Sequence, residues 1–94
     1  MKTYWLYILC SKKYGTLYVG ITSDLPRRIF EHKNHLIPNC FPSKYNVTQL
    51  VYAEQHAMFE QAVKRETRIK DWPRQWKINL IEKNNPDWHE MSLL

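Results

Sequence analysis

The sequence contains only two cysteines, Cys10 and Cys40, and only two glycines among its 94 residues. Two cysteines do not provide a disulfide framework, so a reducing cytoplasm is the expected location. The chain also lacks a Walker loop and a dinucleotide-binding fingerprint. Its apolar run at residues 4–10 is far too short to cross a membrane, and no signal peptide is visible. Neither a membrane anchor nor a small-molecule cofactor is therefore expected.

Acidic residues are scarce relative to basic ones. Nine Asp and Glu stand against 14 Lys and Arg, which gives a net charge of +5 and a pI near 9.3. This balance favours nucleic acid as the partner over an anionic membrane surface, although a merely basic soluble protein is the alternative. The hydrophobic fraction of 44% is enough for a core. We expect one domain over residues 1–94, with its core at about 3–83 and a short C-terminal tail.

The spacing of apolar and turn residues predicts six elements in the order β-β-α-β-α-α. The predicted strands are residues 3–10, 16–22 and 47–55, with a loop at 35–46. The predicted helices run from a cap at Ser23 or Asp24 to about residue 34, over residues 57–71, and from Pro73 to the Asn84-Asn85-Pro86 stop. This order predicts an α+β fold, a small three-stranded antiparallel sheet flanked by helices.

Individual residues refine this outline. Gly15 is free to take a positive φ in the turn between the first two strands. Pro26 falls in the first turn of the first helix, where a missing N–H is tolerated. The second helix carries an apolar stripe made of Phe59, Ala62, Val63 and Ile69. The C-terminal core is expected to contain Trp72, Trp76 and Trp88.

Two tyrosines are predicted to share one face of the hairpin. Tyr7 alternates with Trp5 and Leu9 along the first strand, and Tyr18 alternates with Gly20 along the second. In the simplest pairing register, Tyr7 and Tyr18 therefore face the same way. Gly20 permits the close approach of a ligand or of another backbone. The alternative is a pair of ordinary core tyrosines beside a glycine at a bend.

The first helix carries polar residues beside its apolar stripe. Arg28 and His32 lie three and seven residues after Leu25, and they are i,i+4 neighbours. An arginine there can bind phosphate through two hydrogen bonds, and a histidine can transfer a proton. The alternative is a boundary arginine and a structural histidine. The spacing of His32 and His35 does not suit two zinc ligands on one helical face.

Glu66 is a carboxylate on the apolar stripe of the second helix. It lies seven residues after Phe59 and three after Val63. A carboxylate in this place is a candidate ligand for Mg²⁺, which takes one or two protein carboxylates and completes its shell with water and phosphate oxygens. The alternative is a structural ion pair. The basic neighbours available for such a pair are Lys64, Arg65, Arg68 and Lys70.

These residues, taken together, resemble the GIY-YIG nuclease module. Trp5-Leu6-Tyr7 stands at the first motif and Tyr18-Val19-Gly20 at the second. Arg28 follows Tyr18 by ten residues, the usual interval in that family, and His32 comes one helical turn later. Glu66 matches the family's metal-binding glutamate. The resemblance covers about residues 3–83 and points to the small stand-alone bacterial members, which are similar to the N-terminal domain of the excinuclease C subunit.

The resemblance implies an endonuclease that hydrolyses phosphodiester bonds of DNA. It implies nicking of one strand, directed by structure rather than sequence, in repair or recombination. The catalytic residues that it implies are Tyr7, Tyr18, Arg28, His32 and Glu66. Glu66 would hold Mg²⁺, with Mn²⁺ as a substitute, and Arg28 would bind a phosphate oxygen. The base that activates water is left open among Tyr7, Tyr18 and His32.

Two other functions stay open at this point. The first is a nucleic-acid-binding module of the same fold without catalysis, because the asparagine that often completes the family's site has no clean counterpart in Asn79 or Asn46. The second is a protein-interaction domain with a basic surface. The choice between DNA and RNA, the preferred substrate structure, the oligomeric state and the identity of a recruiting protein are also left open.

We predict weak, non-specific nucleic-acid binding through basic residues around the site, namely Lys12, Lys13, Arg27, Lys33, Lys44 and Lys70. Affinity should fall steeply with salt, with a log–log slope of about −0.9 for each duplex phosphate neutralised. Fluorescence anisotropy titrations at increasing KCl concentrations measure this slope. Binding that does not change between low and high salt would indicate a different kind of partner.

Overall fold

The computed structural model of the protein describes residues 2–36 and 46–92, which form an antiparallel sheet with helices on both faces. The strands are β1 (Tyr4–Cys10), β2 (Leu17–Thr22) and β3 (Gln49–His56). The helices are α1 (Leu25–Lys33), α2 (Phe59–Asp71) and α3 (Arg74–Asn84). The spatial order β2-β1-β3 puts the first strand in the middle. The predicted α+β class and the element order are confirmed.

Alternating side chains of the central strand enter two separate cores. The first core joins the sheet to α2 and α3 and includes Leu6, Ile8, Ile69 and Ile81. The second core joins the sheet to α1 and includes Tyr7, Leu9, Leu25 and Ile29. We call them the α2/α3-side core and the α1-side core. The sheet therefore lies between the Tyr7 side chain and α2.

A bulge in β3 changes which residues face each core. Ile8 pairs with Tyr52 and Leu9 pairs with Leu50, so Val51 is the extra residue on β3. Val51 and its neighbour Tyr52 consequently both face the α2/α3-side core, while Leu50 faces the α1-side core. The strand begins at Gln49 rather than at the predicted residue 47.

The turn between β1 and β2 differs from its prediction. The residue with positive φ is Tyr14, at 61°, and the prediction of a positive φ at Gly15 is wrong. A side chain at position 15 would clash with its surroundings, because a Cβ atom there would lie 2.4 Å from Ser11 Oγ. Tertiary contacts hold Tyr14 in place: its ring packs 5.3 Å from that of Trp88, and its carbonyl accepts a hydrogen bond of 2.8 Å from Arg74.

Two aromatic residues predicted to be buried lie at the surface instead. Trp76 is 55% exposed, because α3 directs Ile78 and Ile81 toward the core. Phe59 is 50% exposed and begins α2, two residues later than the predicted start. Its ring packs edge-on against Tyr4, with centroids 5.4 Å apart. The core-facing side of α2 is formed by Ala62 and Ile69.

The segment after α3 packs back onto the sheet. Trp88 is buried, and the N–H of Met91 donates a hydrogen bond of 2.8 Å to the carbonyl of Leu50. Cys10 is a buried free thiol, whereas Cys40 lies outside the described residues. Within the described ranges, no helix is long and apolar enough to span a bilayer.

Of the two residues predicted to cap α1, Asp24 is the one that does so. Its side chain accepts a hydrogen bond of 3.2 Å from the N–H of Arg27. We predict that Asp24→Ala lowers the unfolding free energy by about 1 kcal/mol, because it leaves that N–H without its partner. Asp24→Asn should preserve most of the stability, since asparagine caps helices equally well. Urea denaturation of the three proteins measures the difference, and equal losses for both variants would contradict a capping role.

Candidate active site

The register of β1 and β2 places Tyr7 and Tyr18 on one face of the sheet. Tyr7 pairs with Gly20 and Leu9 pairs with Tyr18, so the two tyrosines are diagonal neighbours. Their ring centroids lie 6.3 Å apart, and both side chains pack in the α1-side core. The prediction that the two tyrosines share a face is confirmed.

Because Gly20 has no side chain, the Tyr7 ring can occupy the space beside it. A Cβ atom at position 20 would lie 2.6 Å from the Tyr7 hydroxyl oxygen and 2.7 Å from its Cζ atom. It would also lie 3.0 Å from a ring carbon of Tyr18. The close approach expected at this glycine is therefore made by a phenol ring of the protein itself, and any side chain at position 20 would displace that ring.

Helix α1 brings His32 against the two tyrosines. Leu25, Ile29 and His32 form the buried stripe of α1, and His32 is only 2% exposed. Its Nε2 lies 3.1 Å from the Tyr7 hydroxyl oxygen, and its ring centroid lies 5.8 Å from that of Tyr18. We call Tyr7, Tyr18 and His32 the aromatic cluster. Tyr7 is buried and Tyr18 is partly exposed, so Tyr18 is the tyrosine that reaches the surface.

The surroundings of His32 favour the neutral imidazole. Burial is the main cause of the lowered pKa of His32. The positive charge of Arg28 lowers this pKa further, and the negative charge of Glu31 raises it. His32 Nδ1 is buried and has no hydrogen-bond partner among residues 2–36 and 46–92. Such an atom is costly in a folded protein. A neutral ring in hydrogen-bond contact with a phenol can either accept its proton or donate to its oxygen.

Arg28 lies on the same helix, one turn before His32, and reaches the protein surface. Its side chain is 40% exposed, and its Nε lies 3.7 Å from Glu31 Oε1. Arg27 Nε lies 3.6 Å from the other oxygen of the same carboxylate. Two guanidinium groups therefore share the carboxylate of Glu31. They line a polar cavity of about 200 Å³ whose other walls are Thr22, Ser23 and Asp24. The carboxylates of Asp24 and Glu31 balance the two guanidinium charges, but the partly exposed Arg28 side chain can donate charge-assisted hydrogen bonds to a phosphate oxygen.

Glu66 lies on α2, on the other side of the sheet from the aromatic cluster. Arg65, the preceding residue, contacts Glu54 of β3. Glu66 lies about 100° further around the helix, on the other side of the buried stripe of Ala62 and Ile69. Its side chain is 20% exposed, and its Oε2 lies 3.4 Å from Lys70 Nζ. The charge of Glu66 is therefore partly offset by Lys70.

The donor set around Glu66 fits only one kind of metal site. The described residues contain no group of three or more His, Cys, Asp or Glu side chains that could hold an ion. A cage built from protein ligands is therefore not present in that part of the chain. A hard cation such as Mg²⁺ can bind through one carboxylate when water and phosphate oxygens complete its shell. Glu66 fits an ion of that kind.

Comparison with known proteins agrees with this geometry. Residues 3–79 match the model of the GIY-YIG catalytic domain. The chain belongs to the GIY-YIG family. A UPF0213 protein of Staphylococcus saprophyticus is 37% identical over 81 residues, covering 86% of this chain and 96% of that protein. One from Syntrophus aciditrophicus is 33% identical over 85 residues, covering 89% and 95%.

A solved structure supports the same assignment. The solution structure of a UPF0213 protein from Bacillus halodurans is similar with a TM-score of 0.58 and 25% sequence identity, covering 94% of this chain and 92% of that one. The resemblance inferred from the motifs is thus confirmed, and so is the fold. Membership of the GIY-YIG family supports nuclease chemistry, a nucleic-acid substrate and a divalent metal ion. The names of the UPF0213 relatives state no activity.

The predicted nucleic-acid-binding residues are distributed over several surfaces. Lys12 and Lys13 are exposed in the β1–β2 turn, and Arg27 borders the cavity of Arg28. Lys33 forms an ion pair with Glu90, and Lys70 forms one with Glu66. Lys44 lies outside the described residues. Of the two asparagines considered for the site, Asn79 is exposed on α3 and accepts a hydrogen bond of 2.9 Å from Gln75, and Asn46 is exposed.

A polar network on the other face was not predicted from the sequence. The carboxylate of Glu54 accepts hydrogen bonds from the Tyr52 hydroxyl and from Arg65 Nε, and its Oε2 lies 2.6 Å from His56 Nε2. Burial raises the pKa of Tyr52 to about 12, and Glu54 adds to the shift. Burial opposes ionisation of Glu54, but hydrogen bonds from Tyr52, Arg65 and His56 outweigh it and lower the pKa of that carboxyl. The alternation of polar residues at 52, 54 and 56 was the signal available.

The lowered pKa of His32 predicts how stability depends on pH. The unfolded chain takes up a proton near pH 6.5, about the ordinary value, while the folded chain resists it. The contribution of His32 is therefore fully present above that pH and is lost as the pH falls toward the lowered folded-state pKa. Its slope cannot exceed about 1.4 kcal/mol per pH unit. Urea denaturation between about pH 5 and 8 measures it.

His32→Gln should remove this part of the pH dependence. His89→Gln serves as the control, because the His89 side chain is 83% exposed. An acid-side slope in His32→Gln equal to that of the unmodified protein would contradict the assignment.

Proposed function

We propose that this GIY-YIG protein is a Mg²⁺-dependent endonuclease that nicks one strand of DNA, with Mn²⁺ able to substitute. We propose that it recognises the structure of the substrate rather than its sequence and acts in repair or recombination. The observation that carries this proposal is the Tyr7–His32 hydrogen bond in a buried cluster one helical turn from the Arg28 cavity. A cytoplasmic location, a single domain and a separate recruiting protein belong to the same proposal.

The residues divide the chemistry of phosphodiester hydrolysis among them. A phosphodiester resists attack because it is anionic, so the site must offset charge and supply a nucleophile. Arg28 would bind a non-bridging oxygen from its polar cavity. Glu66 would hold the divalent ion, which when bound supplies further charge neutralisation at the phosphate.

The aromatic cluster is suited to orient and activate water. Tyr18 is its surface tyrosine, so we assign to Tyr18 the contact with the attacking water. Tyr7 and His32, which are buried behind it, would fix its ring and take part in moving the proton. Free tyrosine has a pKa of about 10, so its deprotonation requires a nearby positive charge, which Arg28 would supply from one helical turn before His32.

One observation favours the alternative, a nucleic-acid-binding module that does not cleave. Lys70 already contacts the carboxylate that would hold the ion. Binding of a cation at Glu66 would therefore require this ion pair to open. Because the Lys70 side chain is 51% exposed, opening the pair exposes a lysine to water and costs little. This low cost is why cleavage stays the first choice.

We predict that Glu66→Gln and Arg28→Ala each lower the rate of nicking of supercoiled DNA in Mg²⁺ by about 10²-fold or more. Glutamine keeps the size of the side chain but loses the charge that holds a hard cation. Alanine cannot bind the phosphate oxygen. Supercoiled, branched and single-stranded substrates should each be assayed with Mg²⁺, Mn²⁺ and EDTA.

Glu60→Gln makes the same chemical change at an exposed position of α2, and Arg27→Ala removes the neighbouring guanidinium. Both controls should keep substantial activity at saturating DNA, and thermal melting on the same preparations should show that all variants fold. A folded Glu66→Gln protein that nicks at the unmodified rate would refute the metal role. Absence of nicking by the unmodified protein on every substrate would favour the binding-module alternative.

A further inference from the structure

A positively charged cavity lies on the face of the sheet that does not carry the aromatic cluster. It has a volume of about 270 Å³ and is lined by His56, Gln61, Lys64, Arg65 and Arg68. We call these five residues the basic pocket. His56 comes from the end of β3, and the other four come from α2. The pocket therefore does not belong to the cavity at Arg28, which lies between the end of β2 and α1.

The charges around the basic pocket do not cancel. None of the five residues that line it is acidic, and Arg65 is paired with Glu54 of β3, with Nε 3.0 Å from Oε2. Lys64 and Arg68 are exposed, and neither forms an ion pair with another described residue. Two positive charges therefore remain uncompensated at a concave surface. Such a surface attracts an anion, and a phosphate group can bind there through charge-assisted hydrogen bonds.

An exposed aromatic surface continues from this pocket. The Arg65 guanidinium lies 5.3 Å above the Trp72 ring, and the Trp72 and Trp76 rings meet edge to face at 6.0 Å. Trp76 is 55% exposed, and a groove of about 380 Å³ runs beside the two rings, with Lys83 on its wall. We call Trp72 and Trp76 the tryptophan shelf. Because Arg65 contacts the shelf and also lines the basic pocket, the two form one continuous surface.

We propose that the basic pocket and the tryptophan shelf together bind an unpaired segment of nucleic acid outside the cleavage site. The pocket would hold backbone phosphates, and Trp76 would stack on a base. Phosphate-binding cations beside an exposed aromatic ring are the combination that binds single strands without reading their sequence. This inference rests on the proposed function for the identity of the ligand as nucleic acid. It also explains structure-directed action, because branched DNA offers both a duplex and an unpaired strand.

The test is fluorescence anisotropy in EDTA, with labelled oligodeoxythymidine and a labelled hairpin duplex as probes. Trp76→Ala should weaken binding of the single strand by at least about fivefold, because stacking on one base is lost. It should leave the affinity for the duplex unchanged, and Trp76→Phe should restore most of the binding. The double variant Lys64→Gln/Arg68→Gln should lower the salt slope by roughly 0.7 for each single-strand phosphate that the protein no longer neutralises.

Lys2→Gln/Lys77→Gln is the matched control, because it removes two positive charges that belong neither to the basic pocket, nor to the groove beside the tryptophan shelf, nor to the predicted nucleic-acid-binding residues. Equal losses of affinity in the two double variants would mean that binding follows net charge alone, and would overturn the inference. Single-strand affinity that is unaffected by Trp76→Ala would also overturn it, and would leave the shelf as a surface for an apolar protein contact.

Nicking assays on the same proteins, run in parallel, separate this inference from the proposed function. If no variant of the protein nicks DNA but single-strand binding still depends on Trp76, the proposed cleavage fails and the inference stands. If nicking occurs but single-strand binding does not depend on Trp76, Lys64 or Arg68, the inference fails and the proposed cleavage stands.

Discussion

The Tyr7 phenol lies where a side chain at position 20 would otherwise be, and this contact fixes the rest of the aromatic cluster. The missing Cβ lets the ring lie across β2, within 2.6 Å of where such an atom would sit. From that position the hydroxyl meets His32, which fixes how α1 packs against the sheet. Arg28 then emerges at the surface one turn earlier on the same helix. The packing of the α1-side core and the geometry of the candidate active site therefore depend on the same contact.

Helix α2 places two adjacent residues on the two sides of its buried stripe. Arg65 joins the Glu54 network of β3, whereas Glu66 contacts Lys70. The offset of about 100° between consecutive helical residues separates the two side chains. Ala62 and Ile69 form the fully buried stripe between Arg65 and Glu66, and they hold the helix against the sheet.

Local sequence patterns were sufficient to predict the fold and part of the candidate active site. The alternation around Tyr7 and Tyr18, and the stripe that places His32 beside Leu25, depend only on the periods of strands and helices. The positive φ of Tyr14 could not be predicted from the sequence, because this left-handed backbone depends on Arg74 and other residues far along the chain. The partner of Glu54 was likewise hidden, since Arg65 is eleven residues away on another element. Ion pairs and exposed tryptophans depend on packing that no short sequence window contains.

The strand order also bears on how the protein is built during synthesis. β1 is made first and becomes the central strand, and its partners β2 and α1 follow directly. The contacts among Tyr7, Gly20 and His32 are therefore local and can form early, while β3 and Glu66 arrive later from the ribosome. Until then, one edge of β1 lacks its partner strand and is open to pairing with other chains. The part of the candidate active site built on the hairpin and α1 can thus be assembled before Glu66, the residue proposed to hold its metal.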